Sequence, residues 1–174
     1  MSIVTKRGDR GMTSLYKGRS VSKDHLRIEV CGTLDELCSY LGLARCQSKN
    51  NKLKKIIESI QKDLFVIGAE VASEPRFIKN IKERIDKPDI ARLENHIKNL
   101  ERKKIVKKPC FHLPGKNMMS SILDISRAIT RRAERGAVKL SRKKFIKNDF
   151  VLIYLNRLSD LLYLLARKAG KNRK

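Results

Sequence analysis

The sequence predicts an all-α fold: a five-helix bundle of four long helices and a shorter one, preceded by an ordered N-terminal loop. Three observations carry this expectation. Apolar residues recur every three or four positions through five separate segments. Glycine (9) and proline (4) are scarce among 174 residues, as in a helix-rich folded chain. No convincing pair of strands and no internal repeat stands out. The length suits one domain, residues 1–174, with an N-terminal segment 1–30 and a helical body 31–170.

The segment TKRGDRGMTSLYKG, residues 5–18, comes first. It holds three glycines and four Lys/Arg around Asp9, with neither a helical nor a strand period, and reads as a loop. Over residues 33–47, Leu34, Leu37, Leu41 and Ala44 lie at helical spacing, and Thr33 with Glu36 forms a capping box that starts the helix there. A second helix spans 53–72 and stops before Pro75. Residues 76–87 are basic and lack a clear period. Pro88 and Asp89 open a third helix with Ile90, Leu93, Ile97 and Leu100 on one side. Pro109, Pro114 and Gly115 mark KKPCFHLPGK as a loop.

The fourth helix, about 117–141, gathers Met118, Ile122, Ile125, Ile129, Ala133 and Leu140 on one face and Asp124, Arg127, Arg131, Glu134 and Arg135 on the other. The charged face suits a solvated surface of ion pairs worth a few tenths of a kcal/mol each. Its charges are arginines, however, whose planar fork suits phosphates and carboxylates. The fifth helix, about 149–169, is apolar around most of its surface and so is expected to be buried on several sides. Its narrow polar stripe holds Asn156, Asp160 and Arg167, with Tyr163 among them. A buried Asn needs partners, so Asn156 is either a bridge between helices or a ligand contact.

Composition narrows the function classes. Hydrophobic residues make up 41% and charged residues 34%, a folded rather than disordered profile. No run of 18 apolar residues predicts a membrane span, and MSIVTKRGDR lacks a secretory apolar core, so a cytoplasmic location is expected. Lys+Arg number 41 against 18 Asp+Glu, a net charge of +23 that attracts polyanions. The lysines are scattered along the chain rather than gathered in a stripe, and no zinc-finger or aromatic-rich RNA-binding signature accompanies them, so nucleic acid is not the expected partner. The four cysteines include no CxxC pair, and with three histidines they fit no metal template. Cys31, Cys38 and Cys46 read as small buried hydrophobes on one helical face.

Three blocks together resemble the ATP:cob(I)alamin adenosyltransferases of the trimeric, five-helix-bundle family. They are TKRGDRGMTSL through VSKD to RIEVCGTLDEL (5–37), FHLPGK followed by SRAITRRAER (111–135), and YLNRLSDLLYLLAR (154–167). QKDLFVIGAEVA (61–72) is a weaker fourth match. The resemblance implies transfer of the 5′-deoxyadenosyl group of ATP to the cobalt of reduced cobalamin, with release of triphosphate. Cobalt(I) is then the nucleophile, and no catalytic Ser, Cys or His is required.

By the same resemblance the N-terminal loop wraps the ATP triphosphate with Thr5, Lys6, Gly8, Asp9, Gly11 and Thr13, joined by Lys23. Glycines there would let backbone N–H groups approach phosphate oxygens, although no Walker motif is present. Arg127 and Asp35 would pair and shape a site between subunits. Arg131, Glu134 and Asn156 would contact the nucleotide, and Mg²⁺ would accompany the triphosphate. Phe111 would face the corrin underside and displace the lower axial ligand; a plug at the bundle's end is its alternative role. A C3 homotrimer, a flavoprotein reductase and an adenosylcobalamin-dependent client enzyme are the implied partners. The chain departs from the family's pattern at Lys116, Cys38 and Ser20. Rival readings are a basic helical nucleic-acid-binding protein and a corrinoid chaperone that keeps the fold.

Overall fold

Helix packing follows from which faces the sequence leaves apolar. The computed structural model describes residues 4, 6–16, 18–106 and 111–171. Two short strands come first, β1 (Met12–Ser14) and β2 (Ser20–Ser22), followed by α1 (Leu26–Gln47) and α2 (Asn51–Ala72). A 3₁₀ turn (Pro75–Asn80) leads to α3 (Lys87–Glu101), α4 (Met118–Arg142) and α5 (Asp149–Ala169). Helices α2, α1, α4, α5 and α3 are neighbours in that order. In α5, Val151, Tyr154, Leu155, Leu158, Leu161 and Leu162 are wholly buried, as a helix covered on several sides requires.

Four expectations are corrected. Helix α1 begins at Leu26, not at Thr33. The His25 ring nitrogen caps it by accepting the Arg27 N–H at 3.2 Å. The Thr33 hydroxyl instead donates to the Glu29 carbonyl at 2.9 Å. A threonine inside a helix can bond back one turn, so the Thr-x-x-Glu spacing marked no terminus.

A strand pair does exist: β1 and β2 run antiparallel with Thr13 opposite Val21. Three-residue strands are too short to display an alternating period. On α4, Met118 and Ile125 are 69% and 42% exposed. The buried arc is rotated toward Leu123, Ser126, Thr130 and Ala137, whose small or branched side chains let neighbouring helices close in.

Cys46 is exposed, and Cys31 and Cys38 are only partly buried. Burial still pushes the Cys31 thiol up to about 11. The irregular stretch before α3 is anchored by Glu70, which accepts from the Ile85 N–H at 3.1 Å and the Asn148 amide at 3.0 Å. Asp63 accepts from Tyr154 and from Arg92, each at 2.5 Å, and so ties α2 to α5 and α3.

Candidate functional site

The N-terminal loop is a run of turns closed on itself. The Asp9 N–H donates to the Lys6 carbonyl at 3.3 Å and the Gly11 N–H to the Gly8 carbonyl at 3.2 Å. Lys6 and Gly11 have left-handed backbones, with φ of 58° and 73°. The Lys23 N–H donates to the Gly11 carbonyl at 2.8 Å. A Cβ placed on Gly8 would lie 3.0 Å from the Lys23 ammonium, so the missing side chain is the space the lysine occupies. Lys6, Gly8, Asp9, Gly11 and Lys23 are thereby brought together, and Thr13 follows on β1. Thr5 lies outside the described residues.

This loop is pinned to one end of the bundle. Leu15 and Val21 are buried, and the Tyr16 N–H donates to the Ala72 carbonyl at 3.0 Å. The Arg27 guanidinium, 2% exposed, donates to the Val71 carbonyl at 2.5 Å and the Phe145 carbonyl at 2.8 Å. It also lies 5.0 Å over the Phe145 ring. The beginning of α1, the end of α2 and the turn before α5 therefore meet beneath the loop.

Midway along the bundle, α4 and α5 present a polar cluster. The Asn156 amide donates to Glu134 at 3.1 Å, and Arg157 donates to the Asn156 oxygen at 2.9 Å and to Glu94 at 3.1 Å. Asn156 thus bridges helices while remaining part exposed. Burial pushes the Asp160 carboxyl up; Arg157 opposes the shift, Glu134 adds to it, and Arg131 opposes it. Glu134 and Asn156 are hydrogen-bonded to each other, and Arg131 and Glu134 both act on the Asp160 carboxyl. Arg157 was not singled out by the sequence, because its spacing from Asn156 places no two polar groups on one helical face.

Arg127 and Asp35 do not meet within the chain. Glu36 on α1 pairs with Arg132 on α4, and these helices are antiparallel. Arg127 lies five residues before Arg132 on α4, roughly 7.5 Å away at 1.5 Å per residue. Its guanidinium faces Asp124 instead, at 3.9 Å. Asp124 also accepts from Arg167, and both of those side chains are only 7% exposed. The Nε–H donors of Arg127 and Arg167 are buried with no hydrogen-bond partner among the described residues.

Phe111 is fully exposed on the irregular segment before α4, beside an equally bare Leu113. It plugs nothing in this chain. The neighbouring His112 stacks on Tyr163 at 6.4 Å and 19°, and the Arg167 guanidinium lies over the Tyr163 ring, 5.4 Å from its centroid. This segment sits at the opposite end of the bundle from the glycine loop, where Asn117 donates to the Ala169 carbonyl at 2.7 Å. The 21 residues of α5 separate the two ends by roughly 30 Å. A hollow of about 770 Å³ near Lys52, His96 and Leu165 contains none of the expected site residues.

The profile of the cobalamin adenosyltransferase family matches residues 3–169. The chain belongs to that family. The chain is 39% identical over 166 residues to a corrinoid adenosyltransferase of Citrobacter freundii, across 95% of this chain and 93% of that one. It is 38% identical over 174 residues to a corrinoid adenosyltransferase of Bacillus subtilis, across 96% and 86%. Among solved structures it resembles a Phe-to-His variant of a PduO-type ATP:corrinoid adenosyltransferase from Lactobacillus reuteri, complexed with cobalamin and ATP. The TM-score is 0.86 at 34% identity, across 97% of this chain and 91% of that one.

The sequence missed one feature of the end that carries Phe111, the contact series Asp124–Arg167–Tyr163–His112. Tyr163 and Arg167, one helical turn apart, were its one visible signal.

Proposed function

We propose that this protein transfers the 5′-deoxyadenosyl group of ATP to the cobalt of reduced cobalamin and releases triphosphate. The observation that carries the reading is a pair of half-sites on a chain of this family: a cationic turn loop at one end and a bare Phe111 segment at the other. The nucleophile is cobalt(I). Its electron pair forms the Co–C5′ bond as the C5′–O bond breaks, and that bond's electrons leave on the triphosphate.

The chain's task is positioning and charge stabilisation. Lys6 and Lys23, with the backbone of Gly8 and Gly11 and the hydroxyls of Thr5 and Thr13, would hold the phosphates. Arg131 would add a forked donor, while Glu134 and Asn156, already hydrogen-bonded to each other, present a fixed polar edge to the nucleoside. Phe111 would cover the lower corrin face and keep an axial ligand off the cobalt. Mg²⁺ fits as a companion of the triphosphate. The described residues hold no cluster of three acidic, histidine or cysteine side chains, so phosphate oxygens and water would supply most of its ligands, with Asp9 beside them. Bound there, it would neutralise charge on the leaving group.

Two half-sites roughly 30 Å apart cannot face one another within one chain, and this supports a homotrimer with sites between copies. Asp35 of one copy would then reach Arg127 of the next, whose side chain is about one-third exposed, at 35%. A reductase, expected to be a flavoprotein, would supply the electron that takes cobalt(II) to cobalt(I), and a client enzyme would receive the product. No helix of the described residues is long and apolar enough to cross a membrane, and the cytoplasm is the proposed location. No specific observation favours nucleic-acid binding or a purely chaperone role.

The test is spectral. Prereduced cobalamin with ATP should yield adenosylcobalamin at a rate proportional to protein. Formation no faster than without protein would refute the reading.

A further inference from the structure

The chain holds one contact series that the nucleotide chemistry does not use. It begins at Asp124, whose two carboxylate oxygens are divided between two arginines: Oδ1 faces Arg127 at 3.9 Å and Oδ2 accepts from Arg167. Asp124 and Arg167 are both almost wholly buried, on α4 and α5. The Arg167 guanidinium lies 5.4 Å from the Tyr163 ring centroid, and that ring stacks on His112 at 6.4 Å. His112 is the residue after Phe111. The segment around it is open to solvent: Phe111 and Leu113 are bare and residues 111–116 are all exposed.

We propose that Asp124, Arg167, Tyr163 and His112 are positioning residues that aim the Phe111 segment. The inference rests on the proposed adenosyltransferase reading and deepens its corrinoid side. Its physical basis is restricted freedom. An exposed segment samples many conformations, and each fixed dihedral costs free energy at the moment of binding. A flat ring held against a ring that is itself backed by a guanidinium removes part of that cost in advance. The guanidinium is in turn oriented by a carboxylate buried with it, which a flexible surface lysine could not do. Because the same carboxylate faces Arg127, the orientation of the corrinoid segment and of the arginine expected at the neighbouring copy are set by one group.

The experiment compares adenosylation by the full-length protein from two starting states, cob(II)alamin with a reductant and prereduced cob(I)alamin. Only the first requires the lower ligand to be driven off. His112→Ala and Tyr163→Leu should slow the cob(II)alamin reaction at least tenfold relative to the cob(I)alamin reaction, with ATP affinity and melting temperature unchanged. His112→Phe and Tyr163→Phe keep the flat rings and should restore the wild-type ratio. Asp124→Asn, nearly isosteric but uncharged, should shift the ratio in the same direction as His112→Ala. Equal slowing from both starting states would overturn the proposal, and so would no slowing or a loss explained wholly by a lower melting temperature. The two readings fail separately. If wild-type protein makes no adenosylcobalamin, the function falls. If wild type is active and Phe111→Ala is selective while His112→Ala and Tyr163→Leu are not, only the positioning role falls.

Discussion

Substituting Gly8 by alanine tests whether the glycine loop exists to place the Lys23 ammonium. The added Cβ would stand 3.0 Å from that nitrogen, closer than ordinary van der Waals contact at about 3.5–4.0 Å. Lys23 is exposed and ends a flexible chain, so it will yield rather than the backbone, and the fold should keep its stability. A retreat of about 1 Å takes the charge from about 4 to about 5 Å from a phosphate oxygen. At an effective dielectric of about 20 this loses about 0.8 kcal/mol, about fourfold in affinity. Complete loss of the charge-assisted contact, as in Lys23→Ala, would cost about 1.5–3 kcal/mol. The assay is ATP binding by titration calorimetry. Gly8→Ala should weaken it about fourfold, Lys23→Ala by tenfold or more, and the double variant no further than Lys23→Ala alone, because both act on one contact. Additive losses would refute the reasoning, as would a Gly8→Ala protein that binds ATP like wild type.

Arg131→Ala should lower turnover by about tenfold or more, since a charge-assisted donor to phosphate is worth about 1.5–3 kcal/mol; unchanged steady-state kinetics would return that helix face to the role of solvated surface. Phe111→Ala should leave ATP affinity and melting temperature nearly intact, because the side chain is bare in the chain, while slowing adenosylation from cob(II)alamin far more than from cob(I)alamin. Light scattering should give about three times the mass of one chain, and an active monomer would remove the shared-site argument. Tyr154→Phe should destabilise the fold by about 1–3 kcal/mol in urea melts by stripping a donor from the buried Asp63 carboxylate. At pH 8, iodoacetamide should modify Cys46, which is exposed, well before Cys31, whose thiol burial pushes up to about 11; mass spectrometry of timed digests reads the order.

The sequence by itself determined the helices whose period runs uninterrupted. Helix α5 begins at Asp149 and ends at Ala169 as its apolar run dictates, since a helix covered on several sides must be apolar on several sides. It also determined the family, because three blocks of motif stand in order along one chain, and motif order is a property of sequence. The start of α1 was not legible. Capping depends on which side-chain acceptor actually faces a free N–H, and Thr33 and His25 differ in that respect only once the chain is folded. Exposure of Met118 and Ile125 likewise depended on how far α4 is rotated against α1 and α5, which a single helix's pattern specifies only to within its apolar arc. The tertiary structure alone decided that Asp124 divides its oxygens between Arg127 and Arg167, that a ring stack steadies His112, and that Asp35 and Arg127 stand apart in one chain. Spacing along a helix fixes which residues share a face. Which charge across the interface answers them is set by how the antiparallel helices are staggered, and that stagger comes from the packing of the whole core.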